Sequence, residues 1–136
     1  MYGHIQSVFC LGDPTDELYA AWAIMNEAFD YILDRLVPGA DCNEIFRDYN
    51  DWLAERGLPP ETRLLGHGQG YELIEKPAMM GGNGESIKLA ANMNFSFHPN
   101  IVTPNAEVIC CANYIIQDSG RPLLMHNYPF RELHIL

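Results

Sequence analysis

A chain of 136 residues with 18 acidic and 8 basic side chains has a net charge of −10. It is long enough for one modest core, and its few scattered positive charges exclude a nucleic-acid-binding patch. Apolar residues reach 48%, which argues against disorder over most of the chain, while the apolar runs are too short to cross a bilayer.

The four cysteines, Cys10, Cys42, Cys110 and Cys111, form no CxxC pair. With no signal segment, they predict free thiols in a reducing, cytoplasmic setting. On a strand, the vicinal pair Cys110 and Cys111 would point to opposite faces.

Ile5 to Leu11 reads as a strand stopped by Gly12-Asp13-Pro14. Thr15 or Asp13 caps the helix that follows. Leu18, Trp22, Met25, Phe29, Ile32 and Leu36 recur at helical spacing and form one apolar stripe. Asp16 and Glu17 in its first turn and Arg35 in its last suit the helix dipole, and Val37-Pro38-Gly39 ends it. Asp41 caps a second helix, with Glu44 at the capping-box position and Ile45, Tyr49, Trp52 and Leu53 on its buried face. Gly57 and Pro59-Pro60 end that helix.

Strand signals follow. A loop at Gly66-His67-Gly68-Gln69-Gly70 leads into a strand at Tyr71 to Ile74, and Met79 to Gly84 reads as a flexible loop. Asn92 to His98 alternates and is cut by Pro99. Glu107 to Gln117 is the richest in strand formers, Asp118-Ser119-Gly120 turns a hairpin, and Leu123-Leu124-Met125 returns. Two striped helices need a sheet to cover them, so the expected fold is α+β, one domain over 1–136. The glycine run lacks the lysine and Ser/Thr of a phosphate loop. Its alternate glycines instead let a strand approach its neighbours closely and turn His67 towards a cleft.

These segments, in this order, resemble the creatinase, prolidase and aminopeptidase P family of pita-bread hydrolases. Ile5 to Leu36 with Pro38-Gly39 is similar to the family's strand and long helix. Gly66-His67-Gly68-Gln69-Gly70 with Glu75 and Pro77 is similar to its histidine segment. Asn92 to Gly120, followed by Pro129, Arg131, Glu132 and Leu133, is similar to its last catalytic strands and closing helix or tail. The resemblance implies the later part of a pita-bread catalytic domain, with two helices on a curved, mainly antiparallel sheet and the upstream strands absent.

The family's peptidases hold two metal ions on two aspartates, a histidine and two glutamates, and the ions activate a bridging water. Carried over, the first aspartate falls upstream of Met1, the second on His4, the histidine on His67, and the glutamates on His98 and Cys111, or Cys110 if the register slips. A further substrate-facing histidine falls on Ile74. The resemblance therefore implies His67, His98 and Glu75 as catalytic candidates and His4, His67, His98 and Cys111 as candidate metal ligands. Only His67 keeps the family's residue type.

The expected reading is a degenerate or incomplete relative, inactive as this chain. One alternative is a hydrolase for a peptide or small C–N bonded substrate, working through a remodelled His/Cys site that is metal-free or holds one zinc or other divalent transition metal. Another is a small-ligand or protein binding module. The absent half-sheet implies a homo-oligomer or a missing N-terminal half. Lys76 and Arg131 are candidates to orient an anionic group or to sit in solvent, and His126 and His134 read as surface or tail residues.

Overall fold

The computed structural model of the chain describes residues 3–81 and 85–136. A short strand, β1 (Val8–Cys10), precedes two helices, α1 (Asp16–Leu33) and α2 (Cys42–Glu55). Strands then follow: β2 (Gly66–Gly68), β3 (Glu75–Met79), β4 (Asn94–Phe97), β5 (Asn100–Val102), β6 (Glu107–Ile109), β7 (Ala112–Ile115), β8 (Leu123–Leu124) and β9 (Leu133–Ile135). The central sheet runs β3-β2-β4-β7-β8, with every neighbouring pair antiparallel. β5 and β6 form an antiparallel hairpin, and β1 and β9 pair in parallel. No described helix is long and apolar enough to cross a membrane.

Local chemistry sets the helix starts. Thr15 Oγ1 accepts the Leu18 N–H at 3.1 Å, and Asp41 Oδ1 accepts the N–H groups of Asn43 and Glu44 at 2.8 and 3.2 Å. The α1 stripe is buried at Met25, Phe29 and Ile32, and Leu36 is buried just beyond the helix. Arg35 falls past the last turn, where its guanidinium lies 3.4 Å from the Tyr31 ring centre. Trp22 is only half-buried, and its indole N–H donates to the Arg131 carbonyl at 3.0 Å.

Parity explains the two faces of the central sheet. Cross-strand rows place Gly66, Phe97 and Ala112 on one face, with Gly68, Phe95 and Tyr114 in the next row. This face is the apolar one. Phe29 of α1 meets the Phe97, Phe130 and Tyr114 rings at centroid distances of 4.3, 5.3 and 6.2 Å. The run read as a loop is strand β2 over Gly66–Gly68, and its glycines allow the close approach predicted for them. A Cβ on Gly66 would come within 2.7 Å of the Phe95 ring, and one on Gly68 within 2.6 Å of the Lys76 carbonyl oxygen.

Several segments differ from the sequence reading. The strand predicted from Ile5 to Leu11 is confined to β1, with Gln6 making a separate bridge to Cys111. Tyr71 to Ile74 is an exposed turn rather than a strand, because the Glu75 carboxylate accepts the Glu72 N–H at 2.6 Å and closes that turn. Pairing resumes only at β3. Met79 ends β3 and is buried, not part of a loop; residues 82–84 of the predicted flexible loop lie outside the described residues. Glu107 to Gln117 is two strands, broken where Cys110 and Cys111 leave the β5 partner for the β4 partner. The predicted Asp118–Gly120 hairpin holds, with Tyr114 opposite Leu124. The closing segment is a strand, β9, and not a helix.

Candidate functional site

The opposite parity builds the other face of the central sheet. His67 of β2 lies beside Ser96 of β4, and Ser96 lies beside Asn113 of β7. Gln69, Asn94, His98 and Cys111 share this parity along their own chains. His67, Gln69, Ser96, Cys111 and Asn113 are all buried. The N-terminal segment and the stretch after β8 supply His4 and His126 to the same network.

Asn113 is the hub. Its Oδ1 accepts the His4 backbone N–H at 2.6 Å and lies 3.2 Å from His126 Nε2. The backbone donor fixes which end of the amide is oxygen. Asn113 Nδ2 therefore donates to Gln69 Oε1, and to Asn94 Oδ1 at 3.2 Å. Among the described residues, Gln69 Nε2 is buried and has no hydrogen-bond partner, the residue being only 4% exposed.

His4, His67 and His98 form a near-equilateral triangle. Their ring centroids are 5.9 Å (His4 to His67), 5.8 Å (His4 to His98) and 5.7 Å (His67 to His98) apart. His67 Nδ1 lies 2.9 Å from the Gly68 carbonyl oxygen and donates to it, which leaves Nε2 with its lone pair. His4 Nδ1 lies 3.3 Å from Ser96 Oγ. Burial, then the neighbouring His67 and His4, push the His98 imidazole down to about 4, so it is neutral at pH 7. Burial and the nearby His67 and His126 lower His4 in the same way.

Cys111 is on this face and Cys110 on the other, as their adjacency predicts. Cys111 Sγ lies 3.1 Å from Ser96 Oγ, while Cys110 Sγ donates to the Phe130 carbonyl at 3.3 Å. Burial pushes the Cys111 thiol up to about 12, which holds it protonated at neutral pH. Glu75 directs its carboxylate to the turn before β3 rather than to the imidazoles. Lys76 pairs at the surface with Glu85 at 3.8 Å. Arg131 is structural, tied to Asn26 and Asp30 of α1 by bonds of 2.7 to 3.1 Å. Glu61, a buried acid of the described residues, is already bonded to Arg63.

Fit to a pair of metal ions fails on donor chemistry. Hard paired cations need bridging carboxylates. The groups assembled here are imidazoles, amides, a hydroxyl and a protonated thiol. Among the described residues, no group of three or more His, Cys, Asp or Glu is arranged to hold a metal ion.

The sequence reading missed Gln69, Ser96, Asn113 and His126. The first three share strand parity with His67, His98 and Cys111, so alternation alone could have flagged them. Nothing local marks His126, which a loop brings back over β7.

Comparison with known proteins places the chain in a family. The chain is 27% identical over 97 residues to a probable dipeptidase PepE of Mycobacterium bovis, covering 71% of this chain and 25% of that one. The crystal structure of dipeptidase PepE from Mycobacterium ulcerans superposes with a TM-score of 0.78 at 26% identity, covering 93% of this chain and 34% of that one. An X-Pro aminopeptidase from Thermotoga maritima shares the fold, with a TM-score of 0.83 at 23% identity over 97% of this chain and 37% of that one. The chain thus spans a quarter to about a third of these relatives' lengths. The family model that matches residues 1–118 is metallopeptidase family M24, and the chain belongs to that family.

Proposed function

We propose that this chain is a non-hydrolytic member of its family, a small-ligand binding module built on the later part of a pita-bread domain. The observation that carries the reading is the composition of the polar sheet face. The positions the family resemblance assigns to metal-bridging carboxylates hold His4, His98 and Cys111 beside the retained His67. Around them lie Ser96, Gln69 and Asn113.

Without carboxylates the face cannot neutralise two cations or hold a hydroxide between them. The water-activating step of a dinuclear hydrolase then has no support. The Cys111 thiol is buried and protonated, and Glu75 closes a turn, so neither supplies a replacement nucleophile or base. What remains is a set of imidazoles reachable from solvent at half-buried His4 and His98, backed by a buried amide network.

The test is an assay on Xaa-Pro dipeptides and on creatine, with and without added manganese, cobalt or zinc. Turnover is expected to stay at background. Turnover above background that is abolished by His67→Ala would overturn the proposal.

A further inference from the structure

The imidazole triangle has a size, and the size discriminates between occupants. A metal ion bonded to three imidazoles at about 2.1 Å sets ring centres about 4.5–5.2 Å apart for angles between right and tetrahedral. A nitrogen donating hydrogen bonds of about 2.9 Å to the same three rings sets them about 5.7–6.6 Å apart. The observed separations of 5.7, 5.8 and 5.9 Å lie beyond the first range and at the lower edge of the second.

Donor and acceptor roles agree with this. His67 gives its Nδ1–H to the Gly68 carbonyl, and the tautomer of His4 that gives its Nδ1–H to Ser96 Oγ likewise leaves Nε2 as an acceptor for a ligand. No carboxylate bonds to any of the three rings among the described residues. The −10 charge of the whole chain nonetheless favours the approach of a cation. Gln69, two residues along the chain from His67, carries a buried Nε2 with no hydrogen-bond partner among the described residues. Its orientation is fixed through Asn113 by the His4 backbone N–H. A buried donor with no acceptor calls for a ligand oxygen.

We propose that His4, His67 and His98 form an acceptor cage for a primary ammonium group, and that the Gln69 amide donates to an oxygen of the same ligand. The ligand class is small primary amines that carry a nearby hydroxyl or carbonyl. The proposal rests on the non-hydrolytic reading only in taking the site as free of paired metals.

Its test is titration of the whole chain with ethanolamine, methylammonium, choline and zinc, followed by calorimetry and by the NMR shifts of the histidine ring protons. Ethanolamine should bind saturably and move the signals of His4, His67 and His98. Choline has the same charge and hydroxyl but no N–H donors, and should bind at least about tenfold more weakly. Methylammonium should move the same ring signals at lower affinity. Gln69→Leu should reduce ethanolamine affinity towards that of methylammonium.

Equal binding of choline and ethanolamine would overturn the ammonium cage, as would ring shifts confined to one histidine or the absence of saturable binding. Stoichiometric zinc binding that excludes ethanolamine would replace the cage with a metal site. None of these outcomes bears on peptide turnover, so this inference and the non-hydrolytic reading fail independently.

Discussion

Replacing Asn113 with leucine tests the amide network that holds the candidate site together. The volumes are similar, so packing changes little and the cost is mainly hydrogen bonding. The substitution removes the acceptor of the His4 N–H and the donor to Gln69 Oε1. Each buried or half-buried group left unpaired costs about 1–3 kcal/mol. Water can reach the His4 end, so a total of about 2–4 kcal/mol is expected. For a domain of this size that lowers Tm by about 8–15 °C. Urea denaturation gives the free energy, and a calorimetric scan gives the Tm.

The companion variant Gln69→Leu should cost little, because one end of its amide is already unpaired in the native protein. In the double variant both partners of one bond are gone, so part of the Asn113→Leu loss should return as a coupling of about 1 kcal/mol or more. An Asn113→Leu protein within about 0.5 kcal/mol of the parent would refute the reasoning. Strict additivity in the double variant would do the same.

Two other outcomes follow from the structure. The His98 imidazole has a folded value of about 4 against 6.5 when unperturbed, so between these pH values the unfolded chain binds more protons. Stability should therefore be fully present above pH 6.5 and fall as the pH drops towards 4. After discounting for partial exposure, the loss is on the order of 2 kcal/mol, and it should shrink in His98→Gln. Denaturation midpoints measured across that window check the sign, and a rise in stability on acidification would contradict it. The chain is also expected to self-associate, because edge strand β8 exposes both Leu123 and Leu124. Light scattering over a concentration series should show a mass above the monomer, and a monomeric mass throughout would count against it.

The sequence by itself determined the helices, their caps and the face each would bury. These follow from spacing and from side chains that bond their own backbone, as Thr15 and Asp41 do. It also determined the Asp118–Gly120 hairpin, the opposed directions of Cys110 and Cys111, and, through the resemblance, the family. Local patterns could not settle where pairing starts and stops. Tyr71 to Ile74 is as apolar as a strand, yet the Glu75 carboxylate turns the chain there. Glu107 to Gln117 reads as one strand, yet it changes partners midway.

Only the tertiary structure decided which polar groups meet. His4, His67 and His98 come from three separate segments and approach within 6 Å because strand pairing aligns β2 with β4 and a bridge from Gln6 to Cys111 holds the N-terminal segment to the same sheet. The lowered basicity of His4 and His98, the orphaned Gln69 amide and the Asn113 hub are products of burial and cross-strand registry. Registry is set by the whole sheet, since a shift of one residue would send each of these side chains to the other face.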